Sequence, residues 1–463
     1  MRLSHTPART SAVFDDPNLV SHGGLVPVMA LAERTGLPEL LAEHVRPGGE
    51  CGVNAHLKVG CLVAGMAAGA DSIEDMGLLR HGAMDVLFAG VRAPSTLGSH
   101  LRSYTWGNAL QLEKAGRGLL ARLCREAPLL PGADVLAFID IDSTQKRVFG
   151  HQKEGARFGH TKIQGKSVLV RGLNALIAAV STPLSAPVAA TRLRGGNAPS
   201  SRGAASLAAQ AVGTARACSC TGTIVVRMDS AYYTAAVIAA VRRNGARFSV
   251  TAPVTAAIRN VIAAIPEDGW QAIKYPHAVW DDQLNCWTSD AEVAETSYAA
   301  FTSKKKALHV TARLIVRRVR DKGKAAPGQG ELFPAWRYHA VFTDSPYEAL
   351  QAEEQHRGHA IIEQLLADLN DGPLAHLPSG KFNANAAWLA IAAIAHNLLR
   401  AAGALAGRRH AKARAATVRR DLIAVAARHG RDRITLHLPE GWHRQHEWAS
   451  LFEAACGPPA TAA

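Results

Sequence analysis

Phe138–Thr144 reads Phe-Ile-Asp-Ile-Asp-Ser-Thr, an apolar strand that carries two carboxylates. Side chains alternate along a strand, so Phe138, Asp140 and Asp142 share one face and Ile139 and Ile141 the other. Two acids on one face of an apolar strand are costly unless their charge is compensated. A divalent metal is the usual compensation, and metal-bound carboxylates serve phosphoryl transfer. Asp142 is the first choice of ligand and Asp140 the alternative. A second acid, Asp229, ends another apolar run, Ile-Val-Val-Arg-Met-Asp. It is either a site residue or the N-cap of the helix that follows. Glu363 is the third. In a helix running through His356–Asn370, Ile362, Leu365, Leu366 and Leu369 form the apolar stripe and Glu363 borders it. On the same wheel His356, His359 and Asn370 fall within roughly 60° of one another and of Glu363, a wedge that would face DNA. Read alone, Glu363 is equally a solvated helix acid.

These acids need a scaffold. Residues 17–127 carry helical spacing, as in Leu25–Val45 and Leu57–Ala70. Pro94-Ser95-Thr96 reads as the start of a further helix, with Ser95 or Thr96 as its cap. Such a region could form a helix-turn-helix. From Pro131 the pattern changes to three strand-like runs, a helix, a strand, a helix and a strand, which is a mixed α/β order. His151, His160, Lys162 and Lys166 follow the first strand and either approach a phosphate backbone or populate a polar turn. Residues 256–345 read as β-rich, with Trp270, Trp280, Trp287 and Trp336 among their aromatics. Trp280 and Trp287 could stack on an unpaired base or fill the segment's own core. Two long helices follow. The expected divisions are 1–128 helical and DNA-binding, 129–255 the first part of the core, 256–345 a β-rich insertion, 346–404 the core's C-terminal helices, and 405–463 a basic segment.

Composition narrows the partners. The chain has 463 residues, 48% hydrophobic and 19% charged, which suits a globular protein. Its net charge of +14 points to a polyanion. The last 64 residues hold eleven Arg/Lys against five Asp/Glu. Arg408, Arg409, Arg419 and Arg420 there are candidate DNA contacts. Seven scattered cysteines make no disulfide framework, and Cys218-x-Cys220 lacks a second pair for zinc. The N-terminus lacks the apolar core of a signal peptide, and no apolar run reads as a membrane span, so a cytoplasmic, nucleoid-associated protein is expected.

Phe138–His160, Leu193–Ser201, Val225–Tyr233 and His356–Leu389 together resemble bacterial insertion-sequence transposases with a group 1 DDE domain. The resemblance runs from about Ala133 to Asn397. It implies an RNase H-like core preceded by an all-α domain and interrupted by a β-rich insertion before the last acid. In such a sheet the first and fourth strands lie side by side, so Asp142 and Asp229 would converge. Glu363 lies 134 positions after Asp229, which leaves room for the insertion. The implied triad is Asp142, Asp229 and Glu363, holding two Mg²⁺ ions with Mn²⁺ as a substitute. The implied partners are double-stranded DNA, at the element's terminal inverted repeats and at the target, and a second copy of the chain in the synaptic complex. Relatives often carry a Tyr, an Arg and a Lys at set offsets around the Glu. Here those offsets hold His356, Ala360 and Asn370, so Arg357 and His359 become the candidate DNA contacts. The rival readings are an RNase H-like nuclease without strand transfer and a non-catalytic DNA-binding regulator.

Overall fold

The computed structural model describes Ser4 and residues 7–163, 166–273, 280–282, 286–287, 291–320 and 336–457, with backbone alone at 162–163, 166–167, 281, 286–287 and 320. A short strand, β1 (Leu19–Val20), leads into five helices: α1 (Leu25–Arg34), α2 (Leu37–His44), α3 (Ala55–Ala68), α4 (Pro94–Arg102) and α5 (Trp106–Glu126). The single helix expected from Pro94 onward is two. Pro94 opens α4, where its missing N–H costs nothing, and Ala93 rather than Ser95 or Thr96 holds the cap position. Thr105 then caps α5 reciprocally with Asn108.

The central sheet follows: β2 (Leu136–Arg147), β3 (Arg157–Ile163), β4 (Lys166–Ser181) and β5 (Val188–Gly195), then α6 (Ala204–Ala217), β6 (Thr223–Met228), α7 (Ala235–Arg243) and β7 (Arg247–Ala252). β2 pairs antiparallel with β4 and parallel with β6, and β6 pairs parallel with β7. This is the mixed, RNase H-like order. β3, expected as a polar turn or a phosphate-facing segment, is a strand on the outer edge of β4, where β5 also pairs. Their meeting point needs glycine. A Cβ at Gly196 would lie 2.0 Å from the Gly172 carbonyl oxygen, and one at Gly159 would lie 2.2 Å from that of Gly196.

The β-rich segment is not a separate layer. After α8 (Ala256–Ala263) and the short strands β8 (Gln271–Ile273), β9 (Trp280–Asp281) and β10 (Cys286–Trp287), strands β11 (Ala291–Ala300), β12 (Val310–Arg320) and β13 (Trp336–Thr343) extend the central sheet, because β13 pairs with β7. Trp270 and Trp336 sandwich the Arg318 guanidinium at 4.3 and 4.4 Å, so those two rings serve the segment's own packing. Trp280 is 43% exposed. The Trp287 side chain and Tyr275 lie outside the described residues.

The chain returns through α9 (Ala349–Arg357), α10 (Ile361–Asn370) and the 25-residue α11 (Phe382–Ala406), then α12 (Arg408–Lys412) and α13 (Ala415–Val418). β14 (Ala427–His429) and β15 (Ile434–Leu436) form a small sheet with β1, and α14 (Gln445–Cys456) closes the described chain. Contrary to the expectation that no apolar run is long enough, α11 could cross a membrane by length and composition. Yet 89% of its apolar window is buried inside the protein. It packs against α1, α3, α4, α5 and α14, and one continuous hydrophobic core joins the N-terminal helices to the sheet.

Candidate active site

Three elements meet at one place. β2 runs parallel to β6 with Ile141 opposite Met228, the last residue of β6. The next residue on each strand is a carboxylate, Asp142 and Asp229. Beyond that point β6 turns away, and the freed edge of β2 opens into a cavity of about 710 Å³. Asp142, Asp229 and Glu363 all line it, together with His160 and Asn197. Glu363 comes from the first turn of α10, whose Ile362, Leu365 and Leu369 are buried beneath.

The electrostatics show that the acids sense one another. The Asp142 carboxyl is pushed up to about 6, mainly by burial and further by the negative charges of Asp229 and Glu363. The Ser143 amide, which donates to Asp142 Oδ1 at 2.6 Å, and His359 oppose the rise. Asp229 does cap its turn: its Oδ1 accepts from the Ala231 amide at 2.9 Å. The capping and site readings therefore coexist, since the cap fixes the carboxylate at the cavity wall. Among the described residues, no three His, Cys, Asp or Glu side chains stand close enough, as placed, to hold a metal ion.

Asp140 has a different environment. It is fully buried and accepts from Arg227 Nε at 2.7 Å, Arg227 Nη2 at 2.8 Å, Ser181 Oγ at 2.5 Å and His359 Nδ1 at 2.9 Å. Burial alone would raise its carboxyl; Arg227 and His359 hold it below its ordinary range. Both of its oxygens are thus committed to protein donors. Arg227 also lies over the Phe138 ring at 3.9 Å and donates to the Gln355 carbonyl oxygen. Gly358 admits that reach, since a Cβ there would lie 2.6 Å from Arg227 Nη1.

The wedge around Glu363 is partly overturned. His356 is buried between Ser249 Oγ and Thr251 Oγ1, each at 2.9 Å. Burial pushes its ring down to about 3, so it is neutral and faces the β7 edge rather than DNA. Arg357 Nε donates to Glu353 at 2.8 Å, and His359 is held by Asp140. Asn370 accepts from Lys146 Nζ at 2.9 Å. The backbone of Lys162 lies in β3, and its side chain falls outside the described residues. In the tail Arg408, Arg409 and Arg420 are exposed, with Arg420 paired to Asp421 at 2.8 Å. Arg419 is half-buried and attracted to Asp368 and Asp371.

Sequence reasoning misses Arg227, Ser181 and Lys146. Arg227 does carry a signal, for an arginine inside an apolar strand one position before the strand's last residue needs a buried partner. A family model described as transposase DDE domain group 1 matches residues 7–455. No match was found among curated proteins.

Proposed function

The chain belongs to the group 1 DDE-domain transposases, and from that membership we propose that it cleaves the ends of an insertion element and joins the freed 3′-hydroxyls to target DNA. The observation that carries this reading is the convergence of Asp142, Asp229 and Glu363, from β2, β6 and α10, on one open cavity. The donor chemistry fits Mg²⁺ or Mn²⁺: the three carboxylates that line the cavity are hard oxygen donors. Two such ions, when bound, would supply an activated nucleophile and charge neutralisation at the leaving oxygen.

The chain's own residues do the positioning. The Ser143 amide orients Asp142, and the turn at Ala231 orients Asp229. Asp142 is preferred to Asp140 as ligand because Asp140 is buried under four protein hydrogen bonds. His359 braces Asp140, and its charge is felt by Asp142. Exposed Arg408, Arg409 and Arg420 contribute charge toward DNA phosphates. Holding two element ends at once calls for two copies of the chain.

The test is a cleavage and strand-transfer assay on a labelled terminal-repeat duplex with Mg²⁺. Asn at Asp142 or Asp229, or Gln at Glu363, should abolish both steps while duplex binding persists. Full cleavage by Asp229→Asn protein would sink the triad. Cleavage without joining by the wild-type chain would favour the nuclease reading, and binding without cleavage the regulator.

A further inference from the structure

On the other side of α10 from the acids lies a second cavity, of about 150 Å³. Glu363 faces the first cavity and its neighbour Gln364 lines the second. The β4–β5 turn contributes Ser185, α11 contributes His396 and Arg400, and the segment after α12 contributes Arg414. Three of these side chains are more than nine-tenths buried: Ser185 at 4%, His396 at 5% and Arg400 at 6% exposure. Each keeps buried polar atoms with no protein partner: Ser185 Oγ, His396 Nε2, and both Nε and Nη2 of Arg400. The remaining Arg400 nitrogen, Nη1, donates to the carbonyl oxygens of Ala411 and Ala413.

Leaving one such group unmade carries its full desolvation cost, which is larger for a charged one. Four in one place therefore call for an occupant. Arg400 offers donors only, so the occupant must accept. The acid in the lining, Asp368, is already spent on Arg414 Nε at 2.8 Å and the Ala415 amide at 3.0 Å. Against it stand Arg400, Arg414 and Lys412; Arg414 is also paired to Asp371 at 2.6 Å, so the excess of positive charge rests on Arg400 and Lys412. Burial, and after it the Arg400 charge, hold the His396 ring at about 3, opposed by Asp368. The cavity also adjoins a larger one of about 430 Å³, which shares Pro183, Leu184, Ala411 and Lys412 and carries Arg408, so a charged path leads in from the surface.

We propose that this cavity binds a phosphate group, held by Arg400, His396 and Ser185 and drawn in by Lys412 and Arg414. The group is either inorganic phosphate or a phosphate of bound DNA; the chemistry of recognition is the same. A cavity of this size admits a small tetrahedral oxyanion with its waters.

The experiment uses inorganic phosphate on the full chain without DNA, with sodium chloride at matched ionic strength as control. Isothermal titration should show saturable binding and thermal melting a phosphate-dependent rise in Tm, neither reproduced by chloride. Because Arg400 is buried and its variants risk misfolding, the variants are Ser185→Ala and Lys412→Glu, with folding checked by circular dichroism. Each removes a hydrogen bond or charge from the anion and should weaken binding about tenfold or more. If phosphate then competes with a duplex for the protein beyond the chloride effect, the natural source is the DNA backbone; saturable binding without competition marks free phosphate. No binding above chloride, or binding untouched in both folded variants, overturns the proposal and leaves water as the occupant.

Discussion

Asp140 and Arg227 face each other across the β2–β6 ladder in a two-point ion pair, two register steps below the level at which the strands present Asp142 and Asp229. The pair is almost wholly buried, with side-chain exposures of 0% and 4%. It ties β2 to β6, and through Ser181, His359 and Gln355 it also holds β4 and the approach to α10. The three elements that supply the acids are thus joined by a charge network that touches none of those acids directly.

Removing one partner of a buried pair leaves an uncompensated charge, which costs about 3–5 kcal/mol. Arg227→Met should therefore lower stability by that order in urea denaturation. Asp140→Asn should also destabilise, yet its folded fraction should keep metal-dependent cleavage. Asp142→Asn should show the opposite split, with activity abolished and no loss of stability. If Asp140→Asn kills cleavage in fully folded protein, the assignment of roles within the pair is wrong.

The pair also shows what the sequence could and could not reveal. Strand alternation puts Asp140 and Asp142 on one face, and parallel pairing of β2 with β6 brings Asp142 to Asp229. Both follow from local pattern and sheet order. The partner of Asp140 does not, because Arg227 lies 87 positions away and only the register brings them together. His356 fails for another reason. A single α-helical wheel through 356–370 assumes an unbroken helix, but Gly358–Ala360 forms a 3₁₀ turn between α9 and α10. Three residues at about 120° instead of 100° rotate the phase by roughly 60°, enough to turn His356 into the core. The apolar α11 resembles any buried helix; only the fold shows that it serves the N-terminal helices and the sheet alike.

Asp142 gives a pH signature in metal-free protein. Its carboxyl moves from an ordinary 3.8 to about 6 on folding. Between those values the folded state holds more proton than the unfolded one, so stability should fall as pH rises from about 4 to about 6 and stay low above that. Asp142→Asn removes the cost. Its Tm should exceed that of the wild type at pH 7 and lack that part of the acid-side slope. A variant no more stable than wild type at pH 7 would show that burial and the neighbouring acids do not raise the Asp142 carboxyl.

Lys146 predicts the reverse window. Burial lowers its ammonium from 10.5 to about 8, opposed by Asp371. Between about 8 and 10.5 the unfolded chain holds more proton, so stability should rise with pH there, and below 8 the cost is fully present. Lys146→Met should abolish the alkaline rise in a Tm series. It also removes the tie to Asn370, so a loss of cleavage together with a loss of the rise would show that the end of α10 is positioned through this hydrogen bond.

The tail arginines separate DNA binding from structure. Removing one arginine–phosphate ion pair should lower the salt slope of duplex binding by roughly 0.9. Arg408→Ala and Arg409→Ala, at exposed positions, should do this with little change in Tm. Arg420→Ala should do less, because Asp421 already holds that guanidinium. Arg419→Ala should leave the slope alone and lower Tm, since its guanidinium sits by Gly372 and feels the charges of Asp368 and Asp371. Binding measured across a salt series, with melting on the same samples, reads both quantities. Deletion of residues 1–128 cannot replace these substitutions as a test of end recognition. It would strip α1, α3, α4 and α5 from α11 and expose that apolar helix, so the truncated chain should aggregate or bind a hydrophobic dye. A truncated chain that stays monomeric, folded and dye-free would show that the helical region is an independent unit after all.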